Sequence, residues 1–162
     1  MPCRQNNINR VNSIFYSSIY INLYGVRYLQ KTLVLIKPDA VERNLIGKIL
    51  TYYEENDLKI IALRMEKVTR DFAIRHYKEH EGKSFFKPLI DYITRSPLCA
   101  LVLEGNDAVK KVREINGSTN PANQKEGTIR KAYAISVTEN AVHSSDSVKR
   151  AQEEIKLWFP DL

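Results

Sequence analysis

Short apolar runs recur along the chain, and they predict β-strands. Residues 32–36 (TLVLI) end at the turn residues Lys37-Pro38-Asp39. A second run covers residues 58–65, and a third, residues 98–103 (LCALVL), is apolar throughout, which is typical of a central strand. A brief fourth strand is predicted to end at Val142-His143.

Between the first three strands, apolar residues recur every three or four positions, which is the spacing of an amphipathic helix. This spacing predicts a helix over residues 44–56. It also predicts two consecutive helices between the second and third strands, one after Thr69 and one after Ser84. Thr69 is the expected N-cap of the first of these two helices, because its hydroxyl can accept a hydrogen bond from the first turn.

The last third of the chain alternates between helices and a long loop. Asn106 is predicted to cap a helix, and residues 116–128 form a polar loop whose length is typical of a functional segment. A short helical stretch follows near residues 130–137. Ser145-Asp146 opens the last helix, whose expected inward positions are Val148, Ala151 and Ile155.

The order of these elements predicts the fold class. It is strand, helix, strand, two helices, strand, helix, loop, strand and helix. This order matches a ferredoxin-like βαββαβ sandwich of the α+β class, with an antiparallel four-stranded sheet and a helical hairpin inserted between the second and third strands.

Residues 1–30 differ in character from the rest of the chain. They hold three arginines and no lysine or acidic residue, and they show no sustained helical or alternating pattern. We expect a disordered N-terminal extension at residues 1–30 and one folded catalytic domain at residues 31–162. Organellar targeting by the extension is the alternative, but its tyrosine content and weak amphipathicity favour a non-structural appendage and a cytoplasmic protein.

Composition narrows the class of protein. The 162 residues are 43% hydrophobic and 27% charged, which are ordinary globular values. No apolar run reaches the roughly 20 residues of a membrane span. Cys3 and Cys99 are the only cysteines, which excludes a disulfide scaffold and suits a reducing compartment. The net charge of +6 is compatible with anionic partners, but half of it lies in residues 1–30.

Two segments resemble known functional motifs, but each lacks a residue that the motif requires. Gly82-Lys83-Ser84 has the form of the end of a phosphate-binding P-loop, but Tyr77 occupies the place of the required first glycine. His76 and His80 are four residues apart on a predicted helix, but no glutamate follows His76 to complete a zinc motif. We therefore expect these two histidines to be ordinary surface or half-buried side chains.

His143 is a stronger candidate for chemistry. It ends a strand and precedes a helix, and Glu154 lies about two turns into that helix. An imidazole paired with a carboxylate is oriented, and it can act as a nucleophile or as an acid–base catalyst. The competing interpretation is that His143 is a strand-terminal histidine whose hydrogen bonds are made only within its own loop.

Cationic and polar residues expected near His143 favour the interpretation that this is a phosphoryl-transfer site. Lys37 ends the first strand, Arg113 ends a helix, Thr119 lies in the long loop and Arg130 follows it. In the predicted topology these places converge on one face of the sheet. Guanidinium and ammonium groups are the donors that a polyphosphate requires. Phosphoryl transfer depends mainly on positioning and on charge stabilisation, which such groups supply.

Several sequence segments resemble the nucleoside diphosphate kinase family, and the similarity runs from about residue 31 to residue 159. The segments are TLVLIKPDAVERNLIG, HYKEHEGKSFF, LVLEGNDAV, NGSTNPA, EGTIR, NAVHSSDS and EIKLWF. The resemblance implies transfer of the γ-phosphate of ATP, or of another nucleoside triphosphate, to nucleoside diphosphates. In the family this transfer is a ping-pong reaction through a phosphohistidine.

The resemblance also implies roles for individual residues. His143 is the expected nucleophile, Glu154 orients it with Ser145, and Lys37 and Tyr77 lie beside it. The expected nucleotide contacts are base stacking by Phe85, phosphate binding by Arg113, Thr119 and Arg130, and a sugar contact by Asn140. The expected cofactor is Mg²⁺, held mainly by the nucleotide phosphates, with no direct protein ligand.

The resemblance leaves some points open. Lys131-Ala132-Tyr133 stands where the family usually has Gly-Asp-Phe, from which we expect altered loop packing rather than lost chemistry. A homo-oligomer built from dimers, tetrameric or hexameric, is expected, with no membrane partner and no required nucleic acid. The alternative function is a catalytically silent module that binds nucleotide or nucleic acid. An RNA-binding domain is disfavoured, because its sheet would expose aromatic residues whereas LVLI and LCALVL are core segments.

Overall fold

The computed structural model describes residues 19–22 and 25–162. Their strands form an antiparallel sheet around two long central strands, β2 and β4. β4 pairs with β3 on its far side, and β5 pairs with the last three residues of β2. β1 pairs only with residues 25–28 of β2. The strand bounds are β1 Ile19–Asn22, β2 Gly25–Ile36, β3 Lys59–Glu66, β4 Leu98–Asn106 and β5 Val142–Ser144.

Seven α-helices accompany the described strands, and side-chain caps begin several of them. Thr69 accepts a hydrogen bond from the Phe72 N–H at the start of α3, as predicted, and Ser147 accepts one from the Arg150 N–H at the start of α7. The helix bounds are α1 Pro38–Glu42, α2 Ile46–Glu54, α3 Arg70–His76, α4 Phe86–Ile93, α5 Ala108–Asn116, α6 Ile129–Tyr133 and α7 Val148–Trp158.

β2 separates two hydrophobic clusters. Val34 and Ile36 face a cluster that includes residues of α2 and α5, whereas Leu33 and Leu35 face a cluster with residues of α3, α4 and α7. All four side chains are completely buried, because successive residues of a strand point to opposite faces and both faces are covered by helices. The sheet is therefore the middle layer of the fold, and the end of β2 lies between both helical layers.

The predicted fold class is confirmed. The sheet is antiparallel, and α3 and α4 form the helical insertion between β3 and β4. The predicted central strand at residues 98–103 is β4, which pairs on both sides.

Several predicted element ends are wrong in detail. The expected turn at Pro38 begins α1, since proline fits the first helical position. Asn106 still belongs to β4, so it does not have the predicted capping role. The last helix begins at Val148 after a Ser147 cap, and Val148 is exposed rather than inward.

The structure also differs from the expectation for the N-terminal extension. β2 begins at Gly25 rather than near residue 32, and residues 19–22 form β1, so strands are present at residues 19–22 and 25–30. Residues 1–18 and 23–24 lie outside the described residues, and the expected disorder there stays a prediction. In the described part of the chain, no helix has the length and apolar character needed to cross a membrane.

Candidate active site

The predicted site residues surround two adjoining cavities at the end of β2. One cavity, of about 460 Å³, lies between α5, the long loop and β5. The other, of about 490 Å³, lies between the end of β2, the helical insertion and the segment before β5. Both are lined by Thr119, Arg130 and His143. Arg113 lines the first cavity, and the second is lined by Lys37, Tyr77, Phe85 and Asn140.

Ser145 and Glu154, the remaining predicted residues, are buried behind His143. The Nε2 atom of His143 lies 3.4 Å from Oε1 of Glu154. The Ser145 hydroxyl donates a 2.6 Å hydrogen bond to Oε2 of the same carboxylate. Because Nε2 faces Glu154, Nδ1 is the ring nitrogen left for the cavities that the His143 ring lines.

Glu154 is ionised at neutral pH in this environment. Burial by itself raises the pKa of Glu154, but the hydrogen bond and charge of His143, with His76 and the Ser145 hydroxyl, lower it to about 2. A carboxylate is an acceptor only, so the Nε2 position of a neutral His143 carries the proton that faces it. Nδ1 then keeps a free lone pair, as a nucleophile requires.

Lys37 is a buried cation at the edge of the second cavity. Its ammonium donates to the Thr138 carbonyl at 3.0 Å and to Oδ1 of Asn140 at 2.8 Å. Burial, followed by the charge of Arg130, lowers the pKa of Lys37 to about 8. An anionic ligand in the cavity would offset both effects, so this lysine is suited to bind a phosphate.

Arg130 connects the long loop to β5. Its guanidinium donates to the Gly117 carbonyl at 2.6 Å and to the Val142 carbonyl at 2.7 Å. Gly117 has φ +78°, and a Cβ there would lie 2.5 Å from the Thr128 hydroxyl, so only glycine fits at this position. Burial lowers the pKa of Arg130, and the exposed Arg113 adds a second cation at the first cavity.

A strained turn precedes His143, and sequence reasoning missed it. Ala141 has φ +67°, and the Val142 N–H donates back to the Asn140 carbonyl at 2.8 Å. The buried Asp39 accepts a hydrogen bond from the Ala141 N–H at 3.3 Å, and the Lys37 N–H donates to the Ala141 carbonyl at 2.8 Å. The Lys37-Pro38-Asp39 segment thus holds the strand that carries His143 by main-chain contacts as well as by the lysine side chain.

Aromatic side chains line the outer part of the second cavity. Phe85 is 49% exposed at the start of α4, which leaves a ring face available to a flat ligand. His80 lies edge-on to this ring at a centroid distance of 5.5 Å, and the Lys83 ammonium lies 5.6 Å from the ring centroid. Tyr77 is buried deeper, 6.0 Å from the His143 ring, and its hydroxyl has no hydrogen-bond partner among the described residues.

The expectation that His76 is a surface or half-buried side chain is wrong. It is 3% exposed, its Nδ1 accepts a 3.1 Å hydrogen bond from the Trp158 indole N–H, and its ring lies 4.9 Å from that of His143. This position results from the packing of α3 against α7, which the spacing of histidines within α3 does not show. Together His76, His143 and Glu154 place one potential metal-ligating atom each within 4.8 Å of one another.

The unusual segment after Arg130 has ordinary surface contacts. The Lys131 ammonium lies 3.3 Å from the Glu126 carboxylate, and Tyr133 packs edge-on against Tyr52. Neither side chain lines the two cavities.

An oriented imidazole facing a cavity with buried cations is an arrangement suited to phosphoryl transfer, and an exposed aromatic ring is suited to a flat ligand such as a nucleotide base. The family model described as nucleoside diphosphate kinase matches residues 30–162. A nucleoside diphosphate kinase of Clostridium perfringens is 62% identical over 132 residues, which are 82% of this chain and 92% of that protein. One of Saccharolobus islandicus is 47% identical over 131 residues, which are 81% and 95% of the two chains.

Solved structures agree with the sequence comparisons. A crystal structure of the Aquifex aeolicus nucleoside diphosphate kinase has a TM-score of 0.78 and 37% identity, and the match covers 81% of this chain and 95% of that one. The Encephalitozoon cuniculi nucleoside diphosphate kinase has a TM-score of 0.79 and 36% identity, with 82% and 90% covered. The chain belongs to the nucleoside diphosphate kinase family, and it is an enzyme with that kinase activity.

Proposed function

We propose that the chain moves the γ-phosphate of ATP, or of another nucleoside triphosphate, to nucleoside diphosphates by a ping-pong reaction through phospho-His143. The observation that carries the proposal is the orientation of His143. Its Nε2 faces the buried Glu154 carboxylate at 3.4 Å, and its ring also lines both cavities.

In the first half-reaction, the Nδ1 lone pair of His143 attacks the γ-phosphorus. An N–P bond forms, and the bond from the γ-phosphorus to the bridging oxygen breaks, so that the nucleoside diphosphate leaves with the electron pair. The Nε2 proton stays on the ring beside the Glu154 carboxylate, 3.4 Å away, which stabilises the positive charge that develops on the ring. In the second half-reaction, a terminal oxygen of another nucleoside diphosphate attacks the phosphorus, and the N–P electron pair returns to Nδ1.

The cavity residues bind and orient the nucleotide in this scheme. Lys37 and Arg130 hold the charge of the transferring group from within the protein, while Arg113 and Thr119 bind phosphate oxygens from the outer cavity. Asn140, which already accepts from Lys37, is placed for a contact with the sugar. Phe85 offers its exposed face to the base, and Tyr77 packs beside the His143 ring.

We propose Mg²⁺ as the cofactor, bound mainly by nucleotide phosphates. The second cavity has no carboxylate among the described residues that line it, and the first has only Glu114, so a site made of protein ligands alone does not fit. When bound with the nucleotide, the ion would neutralise phosphate charge during transfer.

Labelling with γ-³²P-ATP tests the covalent step. We expect a protein-bound label that is acid-labile and alkali-stable, and that a nucleoside diphosphate removes. His143→Ala should lose both label and turnover, whereas His80→Asn, which changes another histidine of the same cavity, should keep the label. A label that persists in His143→Ala would overturn the assignment. Nucleotide binding without any label in the unaltered protein would support the silent binding module instead.

We also propose a homo-oligomer built from dimers. β3 pairs with β4 alone in the described part of the chain, which leaves a free strand edge, and Leu63 and Met65 on it are 47% and 59% exposed. An exposed apolar edge strand is suited to pair with a second copy. Light scattering should give a tetramer or hexamer for the unaltered protein and a smaller species for Leu63→Glu. A monomeric unaltered protein would contradict the proposal.

A cytoplasmic location is our proposal from cysteine usage. Cys99 is a buried free thiol whose pKa is raised by burial to about 11, so it is inert in the folded protein. Such a thiol fits a reducing compartment, and a fluorescent fusion of the full chain would test the location.

A further inference from the structure

We propose that His76 is a positioning residue for His143, and that its hydrogen bond from Trp158 holds it as the neutral tautomer with the proton on Nε2. The inference rests on the proposed roles of His143 and Glu154. His76 itself forms or breaks no bond in the proposed transfer.

The tautomer follows from the hydrogen bond between His76 and Trp158. The indole N–H is a donor only, and it lies 3.1 Å from Nδ1 of His76, so Nδ1 must be the acceptor. In a neutral imidazole the other nitrogen then carries the proton. Nε2 of His76 is buried without a hydrogen-bond partner among the described residues, so its N–H is a buried donor that the protein keeps unpaired.

The position of His76 connects this donor to the catalytic pair. One ring nitrogen of His76 lies within 4.8 Å of ligating atoms of both His143 and Glu154. The ring that carries the unpaired Nε2 N–H is thus packed against the catalytic pair. The two histidine rings meet edge to face at an interplanar angle of 82°, so the His76 ring limits rotation of His143 away from Glu154.

A neutral His76 matters because a second cation would compete for Glu154. Burial, and then the charge of His143, lower the pKa of His76 to about 3, while Glu154 acts in the opposite direction. The hydrogen bond from Trp158 also opposes protonation of His76, because a proton on Nδ1 would point at the indole N–H, which is itself a donor. The titratable and charged groups that face His76 are His143, Glu154, Arg150, His80 and Tyr77.

The same hydrogen bond argues against a metal site at the three residues. Two histidines and a glutamate are a common ligand set for zinc. A metal on Nε2 of His76 would require the proton to move to Nδ1, where the Trp158 N–H already points. The cluster is therefore better suited to fix a histidine than to hold an ion.

Imidazole ¹⁵N NMR of the unaltered protein tests the tautomer directly. We expect His76 to show an unprotonated Nδ1 and a protonated Nε2, with no titration between pH 5 and pH 8. A proton on Nδ1, or an imidazolium within that range, would overturn the proposal. Because this readout needs no turnover, it is independent of whether His143 is phosphorylated.

Two variants then test the link to catalysis. Trp158→Phe removes the indole donor, so a proton on Nδ1 of His76 no longer faces another donor, and the pKa of His76 should rise although burial still lowers it. The phosphorylation rate should then fall more steeply on acidification than in the unaltered protein, with KM for nucleotide unchanged. Adding His76→Phe to Trp158→Phe should remove that extra pH dependence, because no titrating group remains at the position.

A control separates positioning from loss of stability. Ile93→Ala leaves a cavity in the same hydrophobic cluster as Trp158 but removes no polar group, so it should lower the melting temperature without changing the pH profile. If Trp158→Phe gave the same pH profile as Ile93→Ala, the role of Trp158 and His76 would be structural only. If instead labelled phosphate were absent from His143 while the NMR result held, the proposed function would fail and the tautomer assignment would stand.

Discussion

The Ser145 hydroxyl donates to Oε2 of Glu154 at 2.6 Å and accepts a 3.3 Å hydrogen bond from the Leu33 N–H. One oxygen of the carboxylate is thereby tied to the central strand β2 through a single serine, while Oε1 faces His143. The backbone of Ser145 is fixed in the same way, because its N–H donates to the Leu33 carbonyl at 3.2 Å. The orientation of the proposed nucleophile is thus tied to the buried end of the central strand β2.

Glu154 should make stability depend on pH in the acid range. Its pKa is about 2 in the folded protein against an ordinary 4.5, so its charged form contributes stability that is fully present above pH 4.5 and is lost as pH falls toward 2. A shift of this size corresponds to about 3 kcal/mol. Urea unfolding between pH 6 and pH 3 should therefore show a smaller pH dependence for Glu154→Gln than for the unaltered protein.

The same variant should slow the reaction. If Glu154 orients His143, Glu154→Gln should lower the phosphorylation rate by roughly 10–1000-fold, which is the cost of misplacing a reacting group. Glu55→Gln, at the exposed end of α2 and outside every ion pair of the described residues, is the control and should change neither the rate nor the acid stability. Equal behaviour of the two variants would remove Glu154 from the mechanism.

Lys37 should make nucleotide affinity depend on pH in the alkaline range. The pKa of Lys37 is lowered to about 8, so the free enzyme loses this charge as pH rises through 8, and binding of a nucleoside diphosphate should weaken there. Calorimetry from pH 7 to pH 9.5 should show this loss, and Lys37→Met should bind weakly at all pH values. Lys48→Met, on the exposed face of α2, is the control and should match the unaltered protein.

Lys37 should also make the free energy of unfolding depend on pH, and this free energy should rise with pH where the nucleotide affinity falls. Because burial disfavours its charged form, the unfolded chain binds more protons between pH 8 and pH 10.5, and folding stability from this group rises over that window. Lys37→Met should lack this rise. If the affinity for a nucleoside diphosphate instead stayed constant through pH 9, the cavity would keep Lys37 charged without a ligand, and the predicted pH dependence of binding would be absent.

The strands and the positions of Lys37 and His143 were predictable from sequence for a physical reason. Segments buried on both faces must be continuously apolar, so 32–36 and 98–103 identify β2 and β4 without knowledge of their neighbours. Lys37 and His143 then follow at strand ends, where the chain leaves the core. Their placement around shared cavities needed only the topology.

His76, Asp39 and the turn at Ala141 could not be predicted in the same way. Each depends on contacts between segments far apart in sequence: α3 with α7 for His76, and the start of α1 with residue 141 for Asp39. A positive φ at alanine has no local signal, because the residue type does not favour that conformation. Side-chain packing decides these features, and periodicity does not report it.

Removal of the first 28 residues should leave a folded, active enzyme. β1 pairs only with residues 25–28, whereas the ladder between β2 and β4 runs from Leu29–Asn106 to Ile36–Cys99 and stays complete. None of the proposed site residues lies before Lys37. A chain that begins at Leu29 should show an unchanged melting temperature and kcat, and an insoluble or inactive product would mean that the N-terminal segment is part of the fold.

Phe85 should contribute to the capture of every nucleotide alike. Its ring is 49% exposed at the rim of the second cavity, and base stacking depends little on base identity because every base has a π-face. Phe85→Ala should weaken binding by about 1–3 kcal/mol for purine and pyrimidine diphosphates together, with a smaller effect on the phosphorylation rate at saturating nucleotide. Val148→Ala, which removes an exposed apolar side chain outside this cavity, should leave KM unchanged. Steady-state kinetics of Phe85→Ala with one purine and one pyrimidine diphosphate would measure whether KM rises equally for both. A loss confined to purines would place a base-specific contact at the site and contradict stacking by Phe85.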